Sequence, residues 1–356
     1  MNSNKWNILL VSVLAIILGF FLDKIHMILP WMFGPIFASL IVIKFMKRKI
    51  IWPTWLGNLG LLILGVQMGS TFTPVVLNDI KGEWLQIVLM SVFILLIALL
   101  ISIVFKKIAN VTFETALLSA IPGALSQMVV MAEENKKADL LVVTLTQTSR
   151  IMFVVILVPI ISSIYGSNGE ESGHVAQEPS IFNVLSIPEL FIILIGIAVT
   201  FFIFYKFRFP VPHLLSPILV MLTWNLVTGQ VFTLDYQFII IAQILFGIRI
   251  GVQIADLIDN ITKKTIFAIA FQNIMLIIGA FLLVFLFQLF INGNINDLFL
   301  SAAPGGMAQI IVVALETGGD VAMISSYHIF RIFFILLIVA PLIKVFLTKQ
   351  SKNYKN

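Results

Sequence analysis

Apolar runs long enough to cross a bilayer constrain this chain more than any motif in it. A helix crossing about 30 Å of hydrocarbon takes on the order of 20 residues at about 1.5 Å each. Stretches such as Trp84 to Phe105 and Thr265 to Ile291 meet that length without one charged residue. Ten such runs can be placed. In the first half they are Asn7 to Leu22, Met27 to Phe45, Trp55 to Phe72, Trp84 to Phe105 and Leu140 to Tyr165; in the second, Ile187 to Tyr205, Val211 to Thr228, Phe238 to Leu257, Thr265 to Ile291 and Val321 to Leu347. The first run lacks a small-residue cleavage site and reads as a retained helix. Composition agrees: 60% of the 356 residues are apolar and 11% charged, where a soluble domain carries about 25% charge. A soluble enzyme is excluded, and the absence of cysteine excludes disulfides and thiolate metal sites. The net charge of +5 comes from basic pairs and short clusters between apolar runs, which read as topology signals and not as a nucleic-acid face.

The two halves are copies. Sliding the sequence against itself by about 182 positions places Pro30 and Pro35 on Pro212 and Pro217, and Gly65 and Gly69 on Gly247 and Gly251. The closest match sets SAIPGALSQ (Ser119 to Gln127) on SAAPGGMAQ (Ser301 to Gln309). After the loss of one residue in the second copy, Asp139 and Arg150 fall on Asp320 and Arg331. The organisation is therefore a first membrane repeat over 1–165, a polar linker over 166–186, a second repeat over 187–347 and a basic tail over 348–356.

Charge counting decides how the S-A-x-P-G segments run. If each is a re-entrant hairpin, each copy has five crossings and the second copy is inverted; 17 basic residues then lie inside and two, Lys24 and Lys81, outside. If each segment crosses, Lys136, Lys137, Lys206, Arg208, Lys263 and Lys264 move outside and the count becomes 11 against eight. The positive-inside rule favours hairpins, inverted copies, cytoplasmic termini and an external linker. The expected fold is an all-α polytopic membrane protein of two inverted repeats of five transmembrane helices, each with a re-entrant P-G hairpin.

Inverted repeats with broken elements are the plan of secondary transporters. Proline removes a backbone donor and glycine permits unusual dihedrals, so P-G unwinds an apolar segment. Unwound backbone survives in a membrane only when buried in protein or lining a wet cavity. Ser119, Pro122, Gly123 and Gln127, with Ser301, Pro304, Gly305, Gly306 and Gln309, are the expected tips; the competing reading is that small residues only let helices pack. Arg150 and Arg331 lie about eleven residues into their spans, where a charge costs roughly 2.5 to 3.5 kcal/mol and needs an interior partner. They either neutralise an anionic substrate together with the hairpin helix N-termini or pair structurally with a carboxylate or with carbonyls freed by the hairpin of the same repeat. Asp139 and Asp320 sit where N-caps belong.

Arg249 occupies the position of Gln67 in the first copy, inside GIRIG against GVQMG, and is either a contact of an asymmetric substrate or an interface residue. Gln243, Gln253, Gln272 and Asn273 are polar residues of the kind that bridge helices. His328 and its counterpart Gln147 precede the arginines by one turn; His328 is the best titrating candidate for proton coupling, against a role as a helix bridge. Glu316 and Glu133, after the hairpins, are candidates for a coupling cation or for plain solvation. The dispersed His26, His174, His213 and His328 lack metal-ligand spacing, and no nucleotide loop is present. No metal or other cofactor is expected, nor any enzymatic activity.

The doubled L-P-x-x-x-x-P, G-x-x-x-G and S-A-x-P-G-G/A-x-x-Q segments, each followed by A-D or G-D and a membrane arginine, resemble the AbrB-type duplicated membrane proteins across essentially the whole chain. The first hairpin departs from the second in having Ala124 where the second has Gly306. The resemblance implies a protein of the bacterial cytoplasmic membrane, in a family labelled either as a regulator of gene expression or as an ammonia monooxygenase. It is also similar to the cation/proton antiporter and anion transporter superfamily. An oxygenase needs a ligand cluster that four dispersed histidines do not supply, and a direct DNA-binding regulator needs a basic soluble domain. The resulting expectation is a secondary transporter of a small organic anion, with a coupling cation or proton, the bilayer as its environment, no nucleic-acid partner, and a homodimer left open. The alternative is a membrane sensor that binds the same ligand without transport.

Overall fold

Helix boundaries follow the punctuation of the sequence. In the computed structural model, which describes residues 2–27, 29–135, 137–165, 179–207, 209, 211–259, 263–290 and 293–353, the first copy forms α1 (Asn2–Lys24), α2 (Pro30–Leu40, continued by a π-helical turn Ile41–Phe45), α3 (Thr54–Ser70), α4 (Pro74–Gly82), α5 (Trp84–Ala109), α6 (Phe113–Ala120), α7 (Leu125–Glu134) and α8 (Leu140–Tyr165). After a single helical turn, α9 (Ile181–Val184), the second copy forms α10 (Ile187–Lys206), α11 (Pro212–Thr228), α12 (Tyr236–Asp259), α13 (Lys263–Gln288), α14 (Ile295–Ala302), α15 (Met307–Glu316), α16 (Val321–Phe334, continued by a π-helical turn Ile335–Val339) and α17 (Ala340–Asn353). Most of the linker, residues 166–178 with His174, lies outside the described residues, as do Lys136, Arg208 and the last three residues of the tail.

Seven of these helical stretches are long and apolar enough to cross a membrane, or eight if α3 and α4, bent by 82° at Pro74, count as one broken span. This marks a multi-pass membrane protein. The count falls short of ten because α2 with its π turn, α3 and α11 are shorter helices. Both α2 and α11 begin at a proline preceded by a left-handed residue, Leu29 (φ 54°) and Val211 (φ 42°), so the chain turns sharply before helix can start. The outer faces suit lipid: on α10, Phe191 and Leu194 are 62% and 61% exposed.

The chain folds into two compact units, each drawing on both copies. Unit 1 comprises Met1–Gly82, Ser167–Asp256 and Ile311–Met323; unit 2 comprises Glu83–Gly166, Leu257–Ile310 and Ile324–Asn356.

Within unit 1 the copies exchange helices. α3 packs on α11, where a Cβ at Gly65 would lie 2.7 Å from the Leu214 carbonyl oxygen. At the matched position of α12, a Cβ at Gly247 would lie 2.9 Å from the Met32 carbonyl oxygen and 3.0 Å from Pro35 Cβ. Gly69 on Ile218 and Gly251 on Ile36 repeat the contact one turn on. The G-x-x-x-G segments are thus flat faces for the other copy's proline helix, the packing that small residues allow in membranes. The bend after α3 is held by Asn225, whose Nδ2 donates to the carbonyls of Ser70 at 2.9 Å and Phe72 at 3.1 Å.

Within unit 2, α5 and α8 pack on α13, and the short helices α6, α7 and α14 pack on α8. The α6–α7 segment doubles back: Thr112 Oγ1 donates to the Lys137 carbonyl at 2.8 Å, and Asp139 N–H donates to Thr115 Oγ1 at 2.9 Å. Asp139 then caps α8 through Leu141 N–H; in unit 1, Asp320 likewise caps the start of α16 through Met323 N–H.

Candidate functional site

Unit 2 contains both helix breaks, and each is built by its sequence. Pro122 and Pro304 carry no N–H to continue the helical ladder, so α6 ends at Ala120 and α14 at Ala302, with Ile121 and Ala303 already extended. Gly123 takes φ +92°, a conformation that costs L side chains about 1–2 kcal/mol. The last carbonyls of α6 and α14 therefore lose their helical donors inside the protein, where an unpaired carbonyl costs roughly 1–3 kcal/mol.

The arginines supply those donors. Arg150 Nη1 donates to Ile121 O at 2.9 Å, and its Nη2 to Ser119 O at 2.7 Å and Ala120 O at 3.1 Å. Arg331 Nη1 donates to Ala303 O at 3.0 Å and Ala302 O at 3.2 Å, and its Nη2 to Ser301 O at 2.6 Å. Both arginines are 3% exposed, and no carboxylate meets either guanidinium among the described residues. The structural partner is thus the freed backbone of the same repeat. A forked, always-charged donor at the C-terminal end of a half-helix satisfies several carbonyls and the helix dipole together.

The residues one turn earlier orient the forks. Gln147 Nε2 donates to Leu118 O at 2.7 Å and Ile121 O at 3.0 Å, while its Oε1 accepts from Arg150 Nη1 at 3.1 Å. His328 takes the same place, with Nε2 at 2.9 Å from Leu300 O and Nδ1 at 3.3 Å from Arg331 Nη2. One nitrogen faces an acceptor and the other a donor, so the geometry is that of a neutral imidazole with its proton on Nε2. A glutamine amide offers the same pair of groups.

The tips also exchange partners between copies. Gly305 lies against Val154, one turn after Arg150, where a Cβ would meet Cγ1 at 2.8 Å; Gly123 lies nearest Ile335, one turn after Arg331, at 3.5 Å. The structure thereby brings Ser119, Pro122, Gly123, Arg150, Ser301, Pro304, Gly305 and Arg331 into one neighbourhood of unit 2. Ser119 Oγ and Gln309 Oε1 are buried without hydrogen-bond partners among the described residues, Gln309 beside Gly306. Gln127 is half-buried on α7.

Arg249 belongs to α12. It lies in unit 1, where its Nη1 donates to Asn58 Oδ1 at 3.1 Å and its stem runs over Gly57. Its counterpart Gln67 bonds to Thr233 Oγ1 and Leu234 N–H. Two of the polar residues in apolar runs do bridge helices: Asn273 Nδ2 donates to Ser149 Oγ at 3.1 Å, and Gln243 Nε2 to Glu316 Oε1 at 2.8 Å. Gln272 is fully buried, with no partner for its amide among the described residues. Asn225 and Lys344, which hold a bend and a carboxylate, escape a reading by motif because their partners are distant in sequence. Among the described residues no three histidines, cysteines or carboxylates gather as a metal site.

A family model described as "Transition state regulatory protein AbrB" matches residues 31–347. The chain is 24% identical over 355 residues to the protein named "Putative regulator AbrB" of Escherichia coli (strain K12), covering 98% of this chain and 99% of that one. It is also 24% identical over 343 residues to "Uncharacterized protein YhjN" of Bacillus subtilis (strain 168), covering 91% and 88%. With the match running across both copies and both arginine-clamped breaks, the chain belongs to the AbrB family.

Proposed function

We propose that this chain is a secondary transporter that moves a small organic anion by alternating access, built from two inverted repeats of five spans with re-entrant hairpins. The observation that carries the reading is the matched pair of helix breaks in unit 2, each clamped by a buried guanidinium with no carboxylate partner among the described residues. Broken helices place freed backbone groups and helix termini at membrane depth, where transporters hold substrate. The two cations and the N-termini of α7 and α15 together favour negative charge. In this reading Arg150 and Arg331 act on the anion through charge and by holding the tips, since their Nη groups are engaged. Ser119, Pro122, Gly123 and Gln127, with Ser301, Pro304, Gly305, Gly306 and Gln309, form the binding surface, and Gln147 and His328 position the arginines. A contact from Arg249 is tested by Arg249→Gln in the assay below.

The ion pair between Lys344 and Glu134 at 2.9 Å supports the hairpin topology. With hairpins both residues fall on the cytoplasmic side, whereas crossing segments would set them on opposite sides. We place the protein in the bacterial cytoplasmic membrane with both termini inside. Single cysteines at Ser167 and Lys136, probed with an impermeant maleimide in intact cells, test this: labelling at 167 alone is expected, and labelling at 136 alone overturns it.

The competing reading is a membrane sensor that binds a ligand and regulates gene expression without transport, which the names of the family and of the E. coli relative favour. The test is a thermal-shift screen of purified protein against small carboxylates, phosphates and amines, since a ligand stabilises the state it binds. A stabilising anion is then followed as flux into proteoliposomes. Flux that Gln309→Leu abolishes is expected. Binding without flux assigns the sensor, and stabilisation by amines alone overturns the anionic substrate.

A further inference from the structure

Glu134 and Glu316 are the same residue of the two copies, each closing the helix after a break at the common offset of 182. Their surroundings differ. Glu134 Oε2 is paired with Lys344 Nζ at 2.9 Å, both side chains being exposed. Glu316, in unit 1, has a neutral partner: Gln243 Nε2 donates to its Oε1 at 2.8 Å. No lysine, arginine or histidine pairs with Glu316 among the described residues. The charged or titratable groups that face it are Asp23 near the end of α1 and Tyr236 at the start of α12, neither of them a cation. Asp320, on the following turn, is turned to the cap of α16.

Gln243 carries the second observation. It is fully buried on α12, and its Oε1 has no donor among the described residues. With Glu316 ionised, the amide makes one hydrogen bond and strands that oxygen. A carboxylic acid and a primary amide instead form two complementary bonds, acid O–H to amide oxygen and amide N–H to acid carbonyl, so a proton on Glu316 supplies the donor that Gln243 lacks. A hard metal cation asks for about six oxygen ligands, whereas a proton needs only the carboxylate and the amide oxygen. We infer that Glu316, held by Gln243, is a proton-binding site of unit 1. The proton comes from water and returns to it, with no change in covalent bonding elsewhere and no electron transfer. Its use as the coupling ion rests on the transporter reading above; its occupancy does not.

Infrared difference spectroscopy of the full chain in lipid, titrated from alkaline to acid buffer, tests the site without a substrate. The expected result is a protonated-carboxyl C=O band that Glu316→Gln removes and Glu134→Gln leaves in place. Gln243→Leu keeps the carboxyl but removes its complementary partner, so the band should shift in frequency and in titration midpoint; this variant carries the test if Glu316→Gln does not fold. Identical titrations for wild type and both Glu316→Gln and Gln243→Leu overturn the proposal. A band displaced by sodium but not by potassium also overturns it, in favour of a metal cation. Absence of flux with the band present sinks the coupling role alone.

Discussion

In the first break Arg150 spreads its guanidinium over the carbonyls of Ser119, Ala120 and Ile121, and in the second Arg331 does the same for Ser301, Ala302 and Ala303. Around that shared clamp the copies have diverged: Gln147 against His328, Ala124 against Gly306, a salt-bridged Glu134 against an amide-bound Glu316. The clamp is the part that backbone chemistry demands, because any break buried in the membrane must satisfy the same carbonyls. What differs around the clamp is free of that demand.

The comparison breaks first at the clamps. Arg150→Met strands the carbonyls of Ser119 and Ala120 and the side-chain oxygen of Gln147, and Arg331→Met the carbonyls of Ser301, Ala302 and Ala303, so each should cost about 3–5 kcal/mol and abolish most folded protein, measured by thermal unfolding in detergent. Equal losses support equivalent breaks; a tolerated Arg331→Met would show that the second break has another support.

The glycines should separate next. Gly123→Ala meets backbone strain, about 1–2 kcal/mol, while Gly305→Ala meets Val154 at 2.8 Å and overpacks by about 1–3 kcal/mol. Val154→Ala should therefore rescue Gly305→Ala, whereas Ile335→Ala should not rescue Gly123→Ala, in two double-mutant cycles.

A smaller effect is expected at the turn before the arginines. His328→Gln copies the first break into the second and should change stability by less than about 1 kcal/mol, while His328→Leu, which removes both donor and acceptor, should cost about 2 kcal/mol. If His328→Gln instead abolishes the proposed anion flux while the protein stays folded, the imidazole does more than orient Arg331. The smallest change should follow Lys344→Ala, since an exposed ion pair is worth about 0–1 kcal/mol.

The doubled motifs, the caps at Asp139 and Asp320, and the need of Arg150 and Arg331 for a buried partner were legible because each is a local rule: proline and glycine interrupt a helix, and a charge deep in an apolar run cannot stay alone. The choice between a carboxylate, a carbonyl and a substrate as that partner was not legible. It depends on where the chain folds back, and the carbonyls belong to residues whose side chains say nothing about it. Asn225, Asn58 and Lys344 stayed silent for the same reason, since one polar residue in an apolar run carries no signal until its partner, some 150 to 210 positions away, is beside it.

From sequence alone came the membrane class, the duplication, the breaks and the family likeness, all of which rest on composition and on spacing along one chain. Tertiary structure decided that each compact unit mixes corresponding pieces of both copies, that G-x-x-x-G of one copy meets the proline helix of the other, and that Glu134 and Glu316 have opposite company. A repeat in sequence specifies which elements are equivalent. Only close packing, which depends on shape and on the burial of every backbone polar group, specifies which of them touch.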